Sequence, residues 1–212
     1  MRSIRHSLVV LLAVGASALA ACNGSGQPST SIGTVTRLQG EGTLTRGTSS
    51  SPLAVEVGLQ LNDDIATGAA ARAELTFADG TKLTVGEQSK IKIDTFVFDE
   101  KASGNKLGLN VTGPFRFVSG KLSKGYGAQV SVTTPMATIG IRGTDFWGGP
   151  IDNQYGVFLI EGSVSVTTPA GEAVLTATGS GVSVPAPGQA PGEITQWPQE
   201  KVDRAIATVT FQ

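Results

Sequence analysis

Residues 73–86, AELTFADGTKLTVG, alternate between apolar and polar side chains on both sides of an Asp-Gly pair. Each half therefore has the two-residue period of a strand with one buried face. Glycine adopts the positive φ of a tight primed turn, and Asp-Gly between two alternating runs is a strong hairpin signal. The segment predicts an antiparallel hairpin that turns at Asp79 and Gly80.

The same alternation recurs further along the chain. KIKIDTFVF places Ile91 and Ile93 on one face of a strand, and FRFVSGKL does the same with Phe115 and Phe117. The 212 residues include 28 Gly and 10 Pro, a composition that favours many short strands and frequent turns over long helices. The predicted fold class is therefore all-β, in a chain long enough for one domain of ordinary size.

Residues 185–212 differ from the strand-rich part before them. A Pro/Gly-rich stretch leads to WPQEKVDRAIATV, in which Pro198 suits the first turn of a helix. Four apolar residues at helical spacing form one stripe: Val202, Ala205, Ile206 and Val209. We expect one short C-terminal helix, or a strand, that packs back on the sheet with Trp197 as its anchor.

Residues 1–21 have the pattern of a signal peptide, because Arg2 and Arg5 precede an apolar run too short to span a membrane. The run ends in Leu-Ala-Ala-Cys, which resembles the lipobox of bacterial lipoproteins. In such proteins the peptidase cleaves before a lipidated cysteine, here Cys22. The alternative is an ordinary secretory peptide that is cleaved near Ala21.

A lipidated Cys22 predicts an exported protein attached to the periplasmic side of a bacterial membrane. Two or more acyl chains hold a protein stably where one chain does not. Residues 22–31 form a predicted flexible tether, since Gly, Ser, Pro and Thr offer nothing to bury. Asn23, directly after the cysteine, favours the outer membrane over the inner.

The composition excludes several functions. Lys and Arg total 16 and Asp and Glu 17, so no basic excess points to nucleic acid. Cleavage after Ala21 removes Arg2, Arg5 and the one histidine, His6, which leaves 14 basic against 17 acidic residues and a formal net charge of -3. Without histidine or a free thiol, the mature chain lacks Ser-His-Asp and Cys-His catalysis, the usual zinc sites and disulfides. We expect neither a cofactor nor a metal.

Several motifs follow one another in a characteristic order. A D-x-I-x-T-G stretch leads to a D-G-T turn, then to TPMATIGIRGTDF, and then to an E-G pair ahead of a strand. This order resembles the FecR domain family, a bacterial periplasmic β-module, over about residues 33–184, and we assign the domain to residues 32–184. The matched positions are Asp64, Thr67, Gly68, Asp79, Gly80, Thr134, Pro135, Gly140, Arg142, Gly143, Thr144, Phe146, Glu161 and Gly162.

The resemblance implies a compact rolled or prism-like β-sheet and a role in signalling or binding outside the cytoplasm. In the best-known members the domain belongs to a sigma-factor regulator, in which a cytoplasmic segment and a spanning helix precede the periplasmic part. Neither segment is recognisable in this sequence. The resemblance therefore implies the module, and not the sigma-factor circuit.

Arg142 and Asp145 allow two interpretations. A guanidinium recognises planar anions, so Arg142 could face an anionic ligand or a partner strand. We favour a structural role, in which Arg142 pairs with a carboxylate such as Asp145 or bonds loop carbonyls, while Gly140 and Gly143 shape a turn. On this interpretation the matched positions are structural.

Three further groups each have a functional and a structural interpretation. The first group consists of Asn62, Asp63 and Asp64. These residues could bind calcium, but a capped turn explains them better. The second group could supply the carboxylates of a glycosidase, but its spacing is that of ordinary surface charges. It consists of Asp94, Asp99, Glu100 and Glu161. The third, which could line a binding face but fits the end of the core better, is Trp147, Tyr155 and Phe158.

The hexapeptide VSVTTP occurs at residues 130–135 and again at residues 164–169. The two copies could mark a duplicated strand-turn unit, or reflect a composition rich in Val, Ser and Thr. In the first copy Thr134-Pro135 is expected to end the strand, because proline offers no amide to a ladder.

The favoured function is a lipid-anchored, non-enzymatic FecR-like module that binds or scaffolds a protein or glycan partner at the cell envelope, with a possible place in signalling. Exposed strand edges offer one way to meet a partner. The alternatives are a purely structural envelope lipoprotein and a carboxylate-based hydrolase. No oligomeric state is assigned.

Overall fold

The computed structural model describes residues 31–212. The predicted signal peptide, Cys22 and most of the tether lie outside these residues. Sixteen strands form one sheet, and one α-helix follows them within the described residues. The first eight strands are β1 (Gly33–Gln39), β2 (Gly42–Arg46), β3 (Ser49–Pro52), β4 (Gly58–Leu59), β5 (Asp64–Thr67), β6 (Arg72–Phe77), β7 (Lys82–Val85) and β8 (Lys90–Val97). The next eight are β9 (Lys106–Thr112), β10 (Phe115–Val118), β11 (Gln129–Thr133), β12 (Thr138–Ile151), β13 (Gln154–Thr168), β14 (Gly171–Leu175), β15 (Ser180–Val184) and β16 (Thr195–Gln196), and the helix is α1 (Gln199–Ala207).

The strands wind into a curled half-barrel. Twelve of them follow the spatial order β3-β2-β5-β8-β9-β11-β12-β10-β7-β6-β1-β4. β13 pairs with β12, β14 and β15, and β16 extends the sheet from β15. β9 and β11 pair in parallel, whereas the other pairs are antiparallel. The predicted all-β class with one short C-terminal helix is confirmed.

One face of the sheet packs into a large apolar core. The predicted inward residues Ile91, Ile93, Phe115 and Phe117 all belong to it, and none is more than 2% exposed. Residues between them, such as Lys92, face outward. The two-residue alternation therefore identified the buried face correctly.

The predicted hairpin is formed by β6 and β7, with Leu75 opposite Leu83. Its loop differs from the tight primed turn expected. The Phe77 amide donates to the Thr81 carbonyl (2.8 Å) and the Gly80 amide donates to the Phe77 carbonyl (2.9 Å), so three residues separate the paired positions. Gly80 has a φ of 86°, which makes this a turn closed by a left-handed glycine.

The TPMATIGIRGTDF signature enters a long strand and contains no turn at its glycines. β12 runs unbroken through Gly140 and Gly143, so the turn predicted there is wrong. The register with β13 slips between Arg142 and Asp145, where β12 holds one extra residue. Gly143 and Gly162 have positive φ (57° and 84°), and a Cβ on Gly162 would lie 2.1 Å from the Gly143 carbonyl oxygen. The glycines therefore form a β-bulge.

The C-terminal segment builds a second apolar cluster on the other face of β12 and β13, which we call the tryptophan cluster. Trp197 stacks on Phe158 (ring centroids 5.2 Å apart) and meets Trp147 edge-on (6.1 Å). The Trp147 indole donates to the Thr208 hydroxyl (3.1 Å). α1 begins directly after Pro198, and all four residues of its predicted stripe pack in this cluster. The anchor role of Trp197 and the core interpretation of Trp147 and Phe158 are confirmed.

An ion-pair clamp joins α1 to the hairpin between β12 and β13. The Asp152 carboxylate contacts the Lys201 ammonium (3.2 Å) and accepts a hydrogen bond from Arg204 (2.7 Å). The hydrogen bond to Lys201, followed by that to Arg204, lowers the pKa of Asp152 below its ordinary value of 3.8.

We expect acid to release this clamp. A lowered folded-state pKa contributes stability that is present above the unfolded value of 3.8 and is lost as the pH falls through the folded value. The contribution is small because Asp152 is exposed. Thermal unfolding followed by tryptophan fluorescence should separate wild type from Asp152→Asn near neutral pH, and the gap should close in acid. A gap that persists at the lowest pH would contradict the clamp.

Both copies of VSVTTP end in the same hydrogen-bonded turn. The Thr134 hydroxyl accepts the Met136 amide (3.2 Å) and donates to the Ala137 carbonyl (2.9 Å). The Thr168 hydroxyl accepts the Ala170 amide (3.3 Å) and donates to the Gly171 carbonyl (3.2 Å). The two copies therefore fold as equivalent strand-turn units. Their origin by duplication stays a prediction.

Candidate functional site

Many of the residues matched to the FecR family hold strands together. The Thr67 hydroxyl donates to the Gly86 carbonyl (2.7 Å) and accepts the Ser89 amide (2.9 Å). The Gly68 amide donates to the Glu41 carbonyl (2.8 Å). The Thr67 bonds tie the end of β5 to the connection between β7 and β8, and the Gly68 bond ties it to the connection between β1 and β2.

Asp79 has a similar role at the other end of β7. Its carboxylate, in a residue only 2% exposed, accepts the Thr81 hydroxyl (2.6 Å), the Thr81 amide (3.1 Å) and the Leu122 amide (3.1 Å). Its carbonyl accepts the Lys121 amide (2.9 Å). The D-G-T turn is thereby fastened to the short 3₁₀ turn Leu122–Lys124.

The bulge in β12 is held by Thr144. Its hydroxyl lies within hydrogen-bonding distance of the Ser163 carbonyl (2.7 Å) and the Arg142 carbonyl (3.0 Å). Its amide donates to the Ser119 hydroxyl (2.8 Å), and the Ser119 amide donates to its carbonyl (2.9 Å). The bulge is therefore joined to the segment that follows β10.

Asp145 pairs with Arg116 of β10, and not with Arg142 as expected. The Arg116 Nε donates to Oδ1 (2.9 Å) and Nη2 donates to Oδ2 (2.6 Å). This hydrogen-bonded pair raises the pKa of the Arg116 guanidinium. The physical reason is distance, because three residues of extended strand, about 10 Å, separate Arg142 from Asp145. Arg116 lies on the adjacent strand instead.

Arg142 is the one arginine of residues 31–212 whose side chain has no ion pair, hydrogen bond or aromatic ring. The other five are engaged as follows: Arg37 with the Phe211 ring, Arg46 with Asp63, Arg72 with the Ala207 carbonyl, Arg116 with Asp145, and Arg204 with Asp152. Arg142 is exposed, and its strand, β12, pairs with β11 and β13. The ion pair with Asp145 and the bonds to loop carbonyls that were expected for Arg142 are therefore not formed within residues 31–212.

Arg142 borders a groove of about 500 Å³ on the outer face of β11 to β14. The polar and small residues that line the groove are Gln129, Gly140, Arg142, Ser163, Ser165 and Glu172. The alternate residues of the same strands, such as Ile139 and Val164, face the core. A Cβ on Gly140 would lie 2.7 Å from the Ser165 hydroxyl, so any larger residue at this position would crowd the groove.

The groove has opposite charges on its two sides and opens at a sheet edge. Ser163 lies opposite Arg142, and Thr167 lies opposite Glu172. Measured along β13, the two charged residues are therefore about 13 Å apart. The Thr167 hydroxyl donates to the Glu172 carboxylate (3.2 Å). Among the strands of residues 31–212, β14 pairs only with β13, and its Val174 is 51% exposed at the rim.

The run Asn62-Asp63-Asp64 includes a capped turn. Asp63 is fully buried, and its carboxylate accepts two bonds from Arg46 and one from the Gln60 amide, each 2.8 Å long. This hydrogen bonding raises the pKa of Arg46. Within residues 31–212 no three potential metal ligands cluster. The oxygens of Asp63 are thus engaged by protein donors.

The carboxylates considered for hydrolysis lie in three parts of the sheet. Asp94 of β8 accepts a bond from the Asn110 amide. Asp99 and Glu100 belong to the β8–β9 connection, where Glu100 pairs with Lys121 (2.9 Å). Glu161 lies on β13. All four are exposed, as the interpretation as surface charges predicts.

Tyr155 is buried, as a core residue should be. Burial raises the pKa of its phenol, an effect that the nearby Thr134 hydroxyl opposes only weakly. The Tyr155 hydroxyl makes no hydrogen bond of full geometry with the described residues. The ring borders an apolar pocket of about 300 Å³ together with Pro135 and Met136.

Neighbours of Arg142 in the groove come from distant parts of the chain. Gln129 reaches it through the β11–β12 pairing, and Glu172 through β13 and β14. The one signal in the sequence is the alternation of VSVTT, whose serine and first threonine face outward in both copies, whereas the second threonine is buried. That pattern identifies an outward face, but not a groove.

Comparisons with known proteins identify the family. Residues 63–165 match the family model described as FecR protein. Two crystal structures of a candidate anti-sigma factor from Parabacteroides distasonis ATCC 8503, at 2.50 Å and 1.65 Å resolution, resemble the structure with TM-scores of 0.53 and 0.54. Both are 16% identical in sequence and cover 68% of this chain, which spans 63% and 64% of their lengths.

The structural likeness at this identity establishes the fold. No curated protein matches the sequence. Within residues 31–212 no helix is long and apolar enough to cross a membrane. The matched segment contains the Asp79 turn, the β12 bulge and the greater part of the groove that Arg142 borders. The chain therefore contains a FecR domain, which the family match assigns to residues 63–165.

Proposed function

We propose that this protein is a lipid-anchored, non-enzymatic signalling module of the bacterial envelope, and that it binds a protein partner through the groove beside Arg142. The observation that carries the proposal is the unpaired guanidinium of Arg142. Every other arginine of residues 31–212 is engaged within the domain. An exposed, positioned arginine with free donors is suited to bind an acidic group of a partner.

The groove favours an extended protein segment with an acidic side chain. Two parallel N–H groups of a guanidinium match a carboxylate, and the hydroxyls of Ser163 and Ser165 offer further donors beside it. On the opposite side Glu172 can accept a bond from a basic or amide group. The free edge of β14 leaves backbone groups available for strand addition.

Family and fold support the signalling role. The structural neighbours are described as anti-sigma factors, and their likeness is one of fold. The lipid anchor is supported by the Leu-Ala-Ala-Cys sequence, in which Cys22 is the one cysteine of the chain. The alternative is a structural lipoprotein without a specific partner.

Site-specific photocrosslinking separates these alternatives. A photoreactive phenylalanine analogue at Val174, at the rim of the groove, should yield one adduct of defined mass in cells. The crosslinked peptide of the partner should contain an Asp or Glu. Val55, which is 48% exposed against 51% for Val174, is the matched control away from the groove and should yield no such adduct. Equal products at both positions, or none at Val174, would favour the structural lipoprotein.

A further inference from the structure

The described chain begins beside the D-G-T turn. The Ile32 carbonyl accepts the Ala78 amide (2.9 Å), and the next residue, Asp79, accepts the Lys121 amide at its carbonyl (2.9 Å). The N-terminal segment therefore joins the domain at the same end as the loop formed by residues 119–128. We call this the N-terminal end of the domain.

An exposed tyrosine surrounded by lysines lies at the N-terminal end. Tyr126 is 91% exposed, and its carbonyl accepts the Gly104 amide (3.1 Å), so the loop at 119–128 lies against the β8–β9 connection. Four lysines of this end form no ion pair within residues 31–212: Lys82, Lys101, Lys106 and Lys124. Of the acidic residues at this end, Glu100 pairs with Lys121 (2.9 Å), and Asp79 and Asp99 remain, so five lysines stand against three carboxylates. The N-terminal end is therefore positive, although the described domain has an excess of acidic residues.

We propose that the N-terminal end rests on a membrane surface that contains anionic lipids, with Tyr126 at the level of the headgroups. Lysines are attracted to the negative surface potential of such lipids. Tyrosine prefers this boundary because its ring is apolar and its hydroxyl is polar. The lysines and Tyr126 together therefore suit this end of the domain to contact the surface of an anionic membrane.

The orientation rests on the proposed lipid anchor at Cys22. Residues 23–31 reach about 30 Å when fully extended, so the anchor keeps the domain close to the bilayer. Because this tether joins at the end that carries Tyr126, the same end faces the lipid. The anchor and the lysines then act together, as two signals hold a protein at a membrane better than one.

Fluorescence of the lipidated full-length mature protein in vesicles tests this contact. The probe is the indole introduced by Tyr126→Trp, against the constant background of Trp147 and Trp197, which are buried. The vesicles contain equal parts of phosphatidylcholine and phosphatidylglycerol with brominated acyl chains. The matched control is Gln154→Trp, an exposed position in the hairpin at the far end of β12.

We expect the emission of the indole introduced at position 126 to shift to shorter wavelength and to be quenched by the brominated chains. The indole introduced at position 154 should stay unquenched. Adding Lys101→Gln and Lys124→Gln should lower the ratio of membrane-contacting to non-contacting domains by about 30-fold, the combined effect of two lysines near an anionic surface. Equal quenching on phosphatidylcholine alone would overturn the role of anionic lipid.

Vesicle flotation reports on the anchor separately. Protein that floats while the indole at position 126 is unquenched overturns the inference and leaves the anchor intact. Protein that does not float has no working anchor, and the same vesicles added at low salt then test the surface by itself. An unquenched indole at position 126 in that experiment also overturns the inference.

Discussion

Replacing Phe146 with alanine is expected to lower the free energy of unfolding by about 3–5 kcal/mol. Phe146 is fully buried on β12. Its ring meets Phe115 edge-on (centroids 5.6 Å apart) and lies against Phe117 (5.8 Å). Phe146 is paired with Phe117 of β10 and Leu159 of β13, so we expect the strand to close only partly on the cavity that alanine leaves.

Urea unfolding followed by circular dichroism measures this loss. Phe146→Leu keeps most of the volume and should cost less than the alanine variant. Val174→Ala removes an apolar side chain from the outer face, where about half of it is already in water, and should change the free energy by no more than about 0.5 kcal/mol. A loss below about 1 kcal/mol for Phe146→Ala would show that the β10–β12 core is not packed as described.

Local patterns were sufficient for the buried face of two strands and for the C-terminal helix. The alternation at Ile91 and Ile93, and at Phe115 and Phe117, depends only on the pleat of one strand. The C-terminal stripe was equally local, because a helix brings residues three and four apart to one side. These predictions needed no knowledge of which strands pair.

The functional part depended on pairing, which local patterns do not contain. Gly143 was expected to shape a turn, but Gly162, on a different strand, makes the position a bulge within β12. That bulge leaves Asp145 with Arg116 as its partner and leaves Arg142 unpaired. A sequence pattern that places two charges three residues apart cannot distinguish these outcomes, since both partners are chosen across the sheet.

Replacing Arg142 with alanine is expected to weaken partner binding strongly without changing stability. The side chain is exposed and unpaired among residues 31–212, so its removal should alter the free energy of unfolding by no more than about 0.5 kcal/mol. If it binds a carboxylate bidentately, its loss should weaken the complex by at least about 2 kcal/mol, or roughly 30-fold.

Arg116→Ala is the matched control for this change. It removes the partner of Asp145, whose side chain is only 15% exposed, and should lower the unfolding free energy by about 1–3 kcal/mol. In the molecules that remain folded the groove is intact, so binding should persist. The two arginines of β10 and β12 are thereby predicted to have opposite phenotypes.

The most direct measurement places the Arg142→Ala change in the protein that carries the photocrosslinker at position 174, and records adduct yield and melting temperature on the same preparation. A lost adduct with an unchanged melting temperature is the predicted result. An adduct that survives the change, or a melting temperature that falls as far as that of Arg116→Ala, would contradict the assignment of Arg142 to partner binding.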